Sequence, residues 1–226
     1  MSAVFESRLS DSPYIEIIWR GYVERDYSPV CPADAHWNLL FTRQHGRIRV
    51  SVEGPTTRSI LKNHSEGAAF LVIKFRLGTI MPMSHLLPGT LVNADTVLPE
   101  ASGKSFWLNG SAWQLPDFEN VEEFVAQLDR EGLLVHDPLV AAVLQDRPLE
   151  VSPRTVRRHF LSATGLTPKV IQQIERAQQA AARLEQGAPI LDVAYEAGYA
   201  DQPHLTRSLK RFYGQTPTQI ATVRNL

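Results

Sequence analysis

The 226-residue chain carries 23 Lys and Arg against 24 Asp and Glu, with 43% apolar and 21% charged residues, a globular composition rather than a disordered or fibrous one. Its net charge of −1 hides a split: residues 1–148 hold 13 basic and 18 acidic side chains (−5), and residues 149–226 hold 10 and 6 (+4). One cysteine, Cys31, excludes an internal disulfide and a Cys-x-x-Cys zinc clamp, and no run approaches the ~18 apolar residues of a membrane span.

From Tyr14 to about Trp113 the apolar residues alternate, as in Tyr14–Trp19, Arg47–Val52 and Phe70–Phe75. Alternation of this kind predicts strands, and Gly46, Gly54-Pro55, Gly78, Pro88-Gly89, Gly103 and Asn109-Gly110 fall between them as turns. A small antiparallel sandwich or barrel is expected over residues 1–116. Phe118, Val121, Phe124, Val125 and Leu128 then follow three-and-four spacing and Gly132 closes the run, which predicts a helical connector over 117–136. Asp137-Pro138 caps a further helix, Leu139 to Gln145.

Residues 137–226 contain a self-similarity at an offset of 49. Ser152-Pro-Arg-Thr-Val-Arg-Arg-His-Phe160 with Gly165-Leu-Thr-Pro168 mirrors Asp201-Gln-Pro-His-Leu-Thr-Arg-Ser-Leu209 with Gly214-Gln-Thr-Pro217. The residues agree by role: Ser152 and Asp201 cap, Val156/Phe160 and Leu205/Leu209 point inward, and Gly165 and Gly214 end each helix. The second copy shows its leading helix, Ile190–Ala197, then Gly198-Tyr-Ala200, then the helix starting at Asp201. Val193, Tyr199 and Leu205 are expected to fill the angle of this helix-turn-helix. Between the copies Val170, Ile171, Ile174, Ala177, Ala181 and Leu184 make one stripe on a nineteen-residue helix of about 28 Å, comparable with the ~34 Å between major-groove openings on one face of DNA.

These motifs resemble the DNA-binding domain of AraC/XylS-type regulators: Ser-Pro-Arg-Thr-x-x-Arg-x-Phe with Gly-x-Thr-Pro, then Ile-x-x-Val-Ala-x-x-x-Gly-Tyr, Asp-Gln-x-His-Leu-x-Arg and Lys-Arg-x-x-Gly-Gln-Thr-Pro. Cys31–Phe41 and Lys74–Gly78 resemble the degenerate cupin-like N-terminal domain of some members. The resemblance implies an α+β multidomain protein, with a β-rich cupin-like sensing or dimerising domain (1–116), the connector (117–136), and an all-α C-terminal domain with two helix-turn-helix units (137–226). It implies a cytoplasmic bacterial transcription regulator, not an enzyme, that needs no cofactor. Double-stranded DNA would be its partner, with a small-molecule effector, a homodimer, and RNA polymerase for an activator. No membrane contact is expected.

On the first recognition helix Arg154 and Arg158 are matched to base edges, Arg157 to phosphate, and Thr155 also projects outward. On the second, Gln202, His204, Thr206 and Arg207 occupy the contact positions. Gln202 is the leading base reader, since Gln can bond adenine N6 and N7 together. Arg207 has a second reading, an ion pair with an acidic core neighbour such as Glu196. Lys210 and Arg211 suit phosphate, which fixes position and affinity without reading sequence. The first unit departs from the pattern. Gln145, Pro148 and Leu149 stand where the second has Ala194, Ala197 and Gly198, so its leading helix should end near Asp146 and support its recognition helix less firmly.

Other readings attach to the N-terminal part. His36, His45, His64 and His85 lack a cupin metal pattern, the tryptophans 19, 37, 107 and 113 suit core or a ligand pocket, and Cys31 lacks a cationic neighbour motif. Ser84-His85, Ser105 and Ser111 form no nucleophile elbow, and Asp95 and Glu100 are not paired for catalysis.

Overall fold

A computed structural model describes residues 2–83, 86–145, 147 and 150–222. The features expected at Ser84, His85, Asp146, Pro148 and Leu149 lie outside the described residues. The described residues form a β-rich N-terminal part followed by a helical C-terminal part, and packing divides them into two units. One holds residues 1–27, 36–55 and 63–167; the other holds 28–35, 56–62 and 168–226.

The first unit is built on an antiparallel sheet of six strands: β1 (Ala3–Arg8), β2 (Ile15–Val23), β4 (Asn38–Gln44), β5 (Arg47–Glu53), β7 (Ala69–Phe75) and β9 (Asp95–Leu98), in the order β1-β2-β7-β4-β5-β9. A second sheet joins β10 (Glu100–Ser102), β11 (Ser105–Leu108) and β12 (Ser111–Gln114). The apolar runs in the sequence overlap β2, β5 and β7; β2 has an irregularity between Ile15 and Ile17, and β7 buries both faces, with Leu71, Ile73 and Phe75 in the main core and Phe70 and Val72 in a second cluster. Leu39, Phe41, Val52, Ile73 and Phe75 meet Phe106 and Trp113 of the small sheet in one core. Helix α1 (Val121–Arg130) adds Phe124, Val125 and Leu128 to it, so the stretch expected as a connector is part of this core. After α1, β13 (Val135–His136) pairs with β8 (Thr79–Ile80). Trp37 and Trp113 are buried, whereas Trp107 is exposed.

Strand β1 is tied to α1 by Arg8. Its Nη1 lies 2.5 Å from Glu122 Oε1, and its Nη2 donates to Glu122 Oε2 at 2.7 Å and to the Phe118 carbonyl at 2.6 Å. The Arg8 hydrogen bonds hold the Glu122 carboxyl down to about 2, against the opposing effect of burial. Because the folded value lies below the unfolded one, this contribution to stability is present above about pH 4.5 and lost as the pH falls toward 2. Glu122→Gln should therefore melt below the native chain near neutrality and converge with it in acid. Thermal melts across that range check this.

The same unit contains α2 (Pro138–Leu144) and α3 (Pro153–Thr164). The second unit holds α4 (Pro168–Glu185), α5 (Ile190–Glu196), α6 (Gln202–Phe212) and α7 (Pro217–Thr222). It also takes in two excursions from the early chain, whose strands β3 (Val30–Cys31) and β6 (Ile60–Leu61) pair with each other. They cap the end of α6, where the last carbonyls of a helix lack intrahelical donors. The Ala33 amide donates to the Phe212 carbonyl at 2.6 Å and the Ser59 amide to the Arg211 carbonyl at 2.9 Å. Gln178 of α4 donates to the Ala33 carbonyl at 2.7 Å. Gly214 follows with φ of 84°, and a Cβ there would lie 2.4 Å from Val30 Cγ1.

Candidate nucleic-acid interface

Helix α6 begins at Asp201, whose carboxylate accepts from the His204 amide at 2.6 Å. Leu205, Leu209 and Phe212 are buried along one face. Gln202, Arg207, Lys210 and Arg211 are exposed, and His204 and Thr206 are half-buried. The helix leans on α5 through Val193, Tyr199 and Leu205, all buried, as the spacing predicts. Gly198 takes φ of 70° at the turn, and the Tyr199 amide donates to the Ala194 carbonyl at 2.9 Å.

Three of the named side chains have local partners. The Thr206 hydroxyl donates to the Gln202 carbonyl at 2.9 Å, and His204 Nδ1 accepts from the Ala200 amide at 3.4 Å while its ring stands edge-on to Tyr199. The expected alternative for Arg207 is not met, because Glu196 pairs with Arg183 of α4 instead. Arg211 lies over the Phe212 ring, 4.8 Å from its centre. The arrangement is a solvent-facing row of hydrogen-bonding and cationic groups on a helix held from behind. Such a row can meet base edges and phosphates.

In the first unit, Ser152 caps α3 by accepting from the Thr155 amide at 3.2 Å, and the two hydroxyls lie 3.0 Å apart. Arg154, Arg157 and Arg158 are exposed, Thr155 and Val156 are half-buried, and Phe160 and Ala163 are buried. Helix α2 ends at Leu144, short as the sequence predicts. The expected weakness of support is offset in two places. Asp137 caps α2 through Leu139 and Val140, and its other oxygen meets His159 Nδ1 of α3 at 2.8 Å. At the far end Gly165, with φ of 71°, sits where a Cβ would lie 2.7 Å from the Pro88 carbonyl and 2.8 Å from Val92 Cγ2. The 3-10 turn Pro88–Thr90 thus packs closely against the end of α3, beside the tie from Asp137.

The first unit also holds a cavity of about 410 Å³, walled by Phe41, Phe70, Leu71, Leu115 and Phe118, with Val4, Phe5, Tyr22, Arg20 and Arg43 also lining it. Arg20 is engaged by Glu6 at 2.7 Å, and its guanidinium lies over Phe118. No tryptophan lines the cavity, so the pocket reading of those residues does not hold there. Sequence alone gave no sign of it, because β1, which supplies Val4 and Phe5, shows no alternation. Among the described residues no group of three His, Cys, Asp or Glu side chains is placed to hold a metal ion, and no helix is long and apolar enough to cross a membrane.

Residues 147–222 match the family model of a helix-turn-helix domain. The HTH-type transcriptional regulator VirS of Mycobacterium tuberculosis is 37% identical over 106 residues, which is 46% of this chain and 30% of the relative. The regulatory protein ada of Salmonella typhimurium is 32% identical over 88 residues, 39% of this chain and 25% of that protein. The chain thus spans under a third of the curated relatives it matches. Among solved structures, ToxT from Vibrio cholerae aligns over 96% of this chain and 97% of its own, with 9% identity and a TM-score of 0.40.

Proposed function

We propose that this chain, whose residues 147–222 match a helix-turn-helix domain, is a sequence-specific DNA-binding transcription regulator of the AraC type. The exposed polar and basic row of α6, set on a buried apolar face, carries the reading. Gln202, with His204, Thr206 and Arg207, would meet bases, and Lys210 and Arg211 phosphates; Arg154, Thr155, Arg157 and Arg158 would contact a second site. The functional division into 1–116, 117–136 and 137–226 is proposed on the sequence pattern and cuts across the packing units. The 226-residue chain should select a duplex from a randomised library, with affinity falling steeply as salt rises because bound counterions are released. Salt-insensitive binding, or none, rejects the reading.

The cavity of the first unit supports a finer proposal, a small and largely apolar effector taken up by the β-rich part. An effector must bind two states differently, so it should shift both melting temperature and operator affinity. A second reading has its own support: Val4 and Phe5 of the edge strand β1 and Tyr22 beside it are exposed, which suits a homodimer or interaction face. Sedimentation with Phe5→Glu separates the two, since only the interaction reading predicts a change of mass. A cytoplasmic setting, and RNA polymerase as partner of an activator, belong to the same proposal. No catalytic step is proposed.

A further inference from the structure

We infer that Arg176 of α4 is a positioning residue for base reading by α6, acting through Tyr199; the inference rests on the DNA-binding reading above. Helix α4 buries Ile171, Ile174, Ala177 and Ala181, and Arg176 stands half-buried beside that stripe. Its guanidinium carbon lies 4.5 Å from the centre of the Tyr199 ring, and Nη1 donates to the Gly198 carbonyl at 3.4 Å. One side chain thus holds both the turn between α5 and α6 and the aromatic ring that follows it. Tyr199 in turn touches α6 twice: its hydroxyl meets Ser208 Oγ at 3.0 Å, and its ring stands edge-on to His204, centre to centre 5.1 Å.

The choice of arginine has a physical reason. Its Nε is shielded from solvent and has no acceptor among the described residues, a cost that a methionine filling the same room would not carry. The planar cation supplies what methionine lacks, a flat face for the ring and a donor for the carbonyl at the end of α5. Base contacts tolerate displacements of only about half an ångström, so the pose of α6 sets how well Gln202 discriminates. Arg176 need not touch DNA to affect that.

The test uses the 226-residue chain with Arg176→Met and Arg176→Lys. In free protein, amide exchange over 199–208 should quicken about tenfold in Arg176→Met, with 171–184 unchanged, and less in Arg176→Lys. On the duplex selected by the native chain, discrimination at the base pair lost on Gln202→Ala should fall about tenfold in Arg176→Met, with an unchanged salt slope. Unchanged exchange over 199–208 overturns the inference, as does a slope reduced by about 0.9 with base preference intact, which would make Arg176 a phosphate contact. If Arg176→Met does not fold, exchange in Arg176→Lys decides in the same terms. If the native chain selects no duplex, the regulator reading falls, while the exchange measurement still decides whether Arg176 positions α6.

Discussion

Gln202→Ala is expected to erase about 1 to 3 kcal/mol of discrimination at one base pair while leaving the salt dependence of binding unchanged. Gln202 lies in the first turn of α6, exposed, beside the Asp201 cap that fixes how the helix starts. A side-chain amide there can give and take one hydrogen bond each with adenine, and alanine can do neither. Lys210→Ala is the contrasting change. Lys210 is exposed in the last turn, and a point charge on a flexible stem suits phosphate. Its loss should weaken all sequences about equally and lower the salt slope by about 0.9. Binding titrations over single-base variants at several salt concentrations measure both. Equal loss of base preference from the two changes would reverse the assignment.

Gly165→Ala should be the most damaging single methyl added to the first helix-turn-helix. The residue adopts φ of 71°, which costs an L-residue about 1 to 2 kcal/mol. Two of the three atoms nearest the new methyl belong to backbone, the Pro88 carbonyl and the Gly89 amide, at 2.7 and 2.9 Å. Backbone in a short turn does not swing aside as a side chain would, and overpacking of this kind adds about 1 to 3 kcal/mol. A fall of about 5 to 15 °C in melting temperature follows for a chain of this size. A variant that melts with the native chain would show that Pro88–Thr90 does not brace α3.

What could be read in advance was whatever rests on local pattern. Asp137, Ser152 and Asp201 cap helices as their neighbours predict, because an N-cap bond spans only two or three residues. Strands β2, β5 and β7 were legible from their runs of apolar, aromatic and β-branched residues. Strand β1 was not: the residues between its half-buried ends are all exposed, and only its pairing with β2 defines it. The contact of Asp137 with His159 and the stacking of Arg176 on Tyr199 join residues of different elements, for which spacing gives no sign. Gly214 was read as a helix end, which it is. Its second role, leaving room for Val30, depends on a distant segment.

The caps on α6 also bear on how the protein is made. Ala33 and Ser59 leave the ribosome well before the carbonyls of Arg211 and Phe212 that accept from them. At ordinary elongation rates those donors wait roughly 10 to 30 s for their acceptors. Closing so long a stretch of chain is slow compared with winding a helix, so the capping of the final turn of α6 is expected after the rest of the helix has wound. A nascent chain stalled before residue 211 holds β3 and β6 without the helix end they complete, and α6 gains its capped last turn only when those segments have found it.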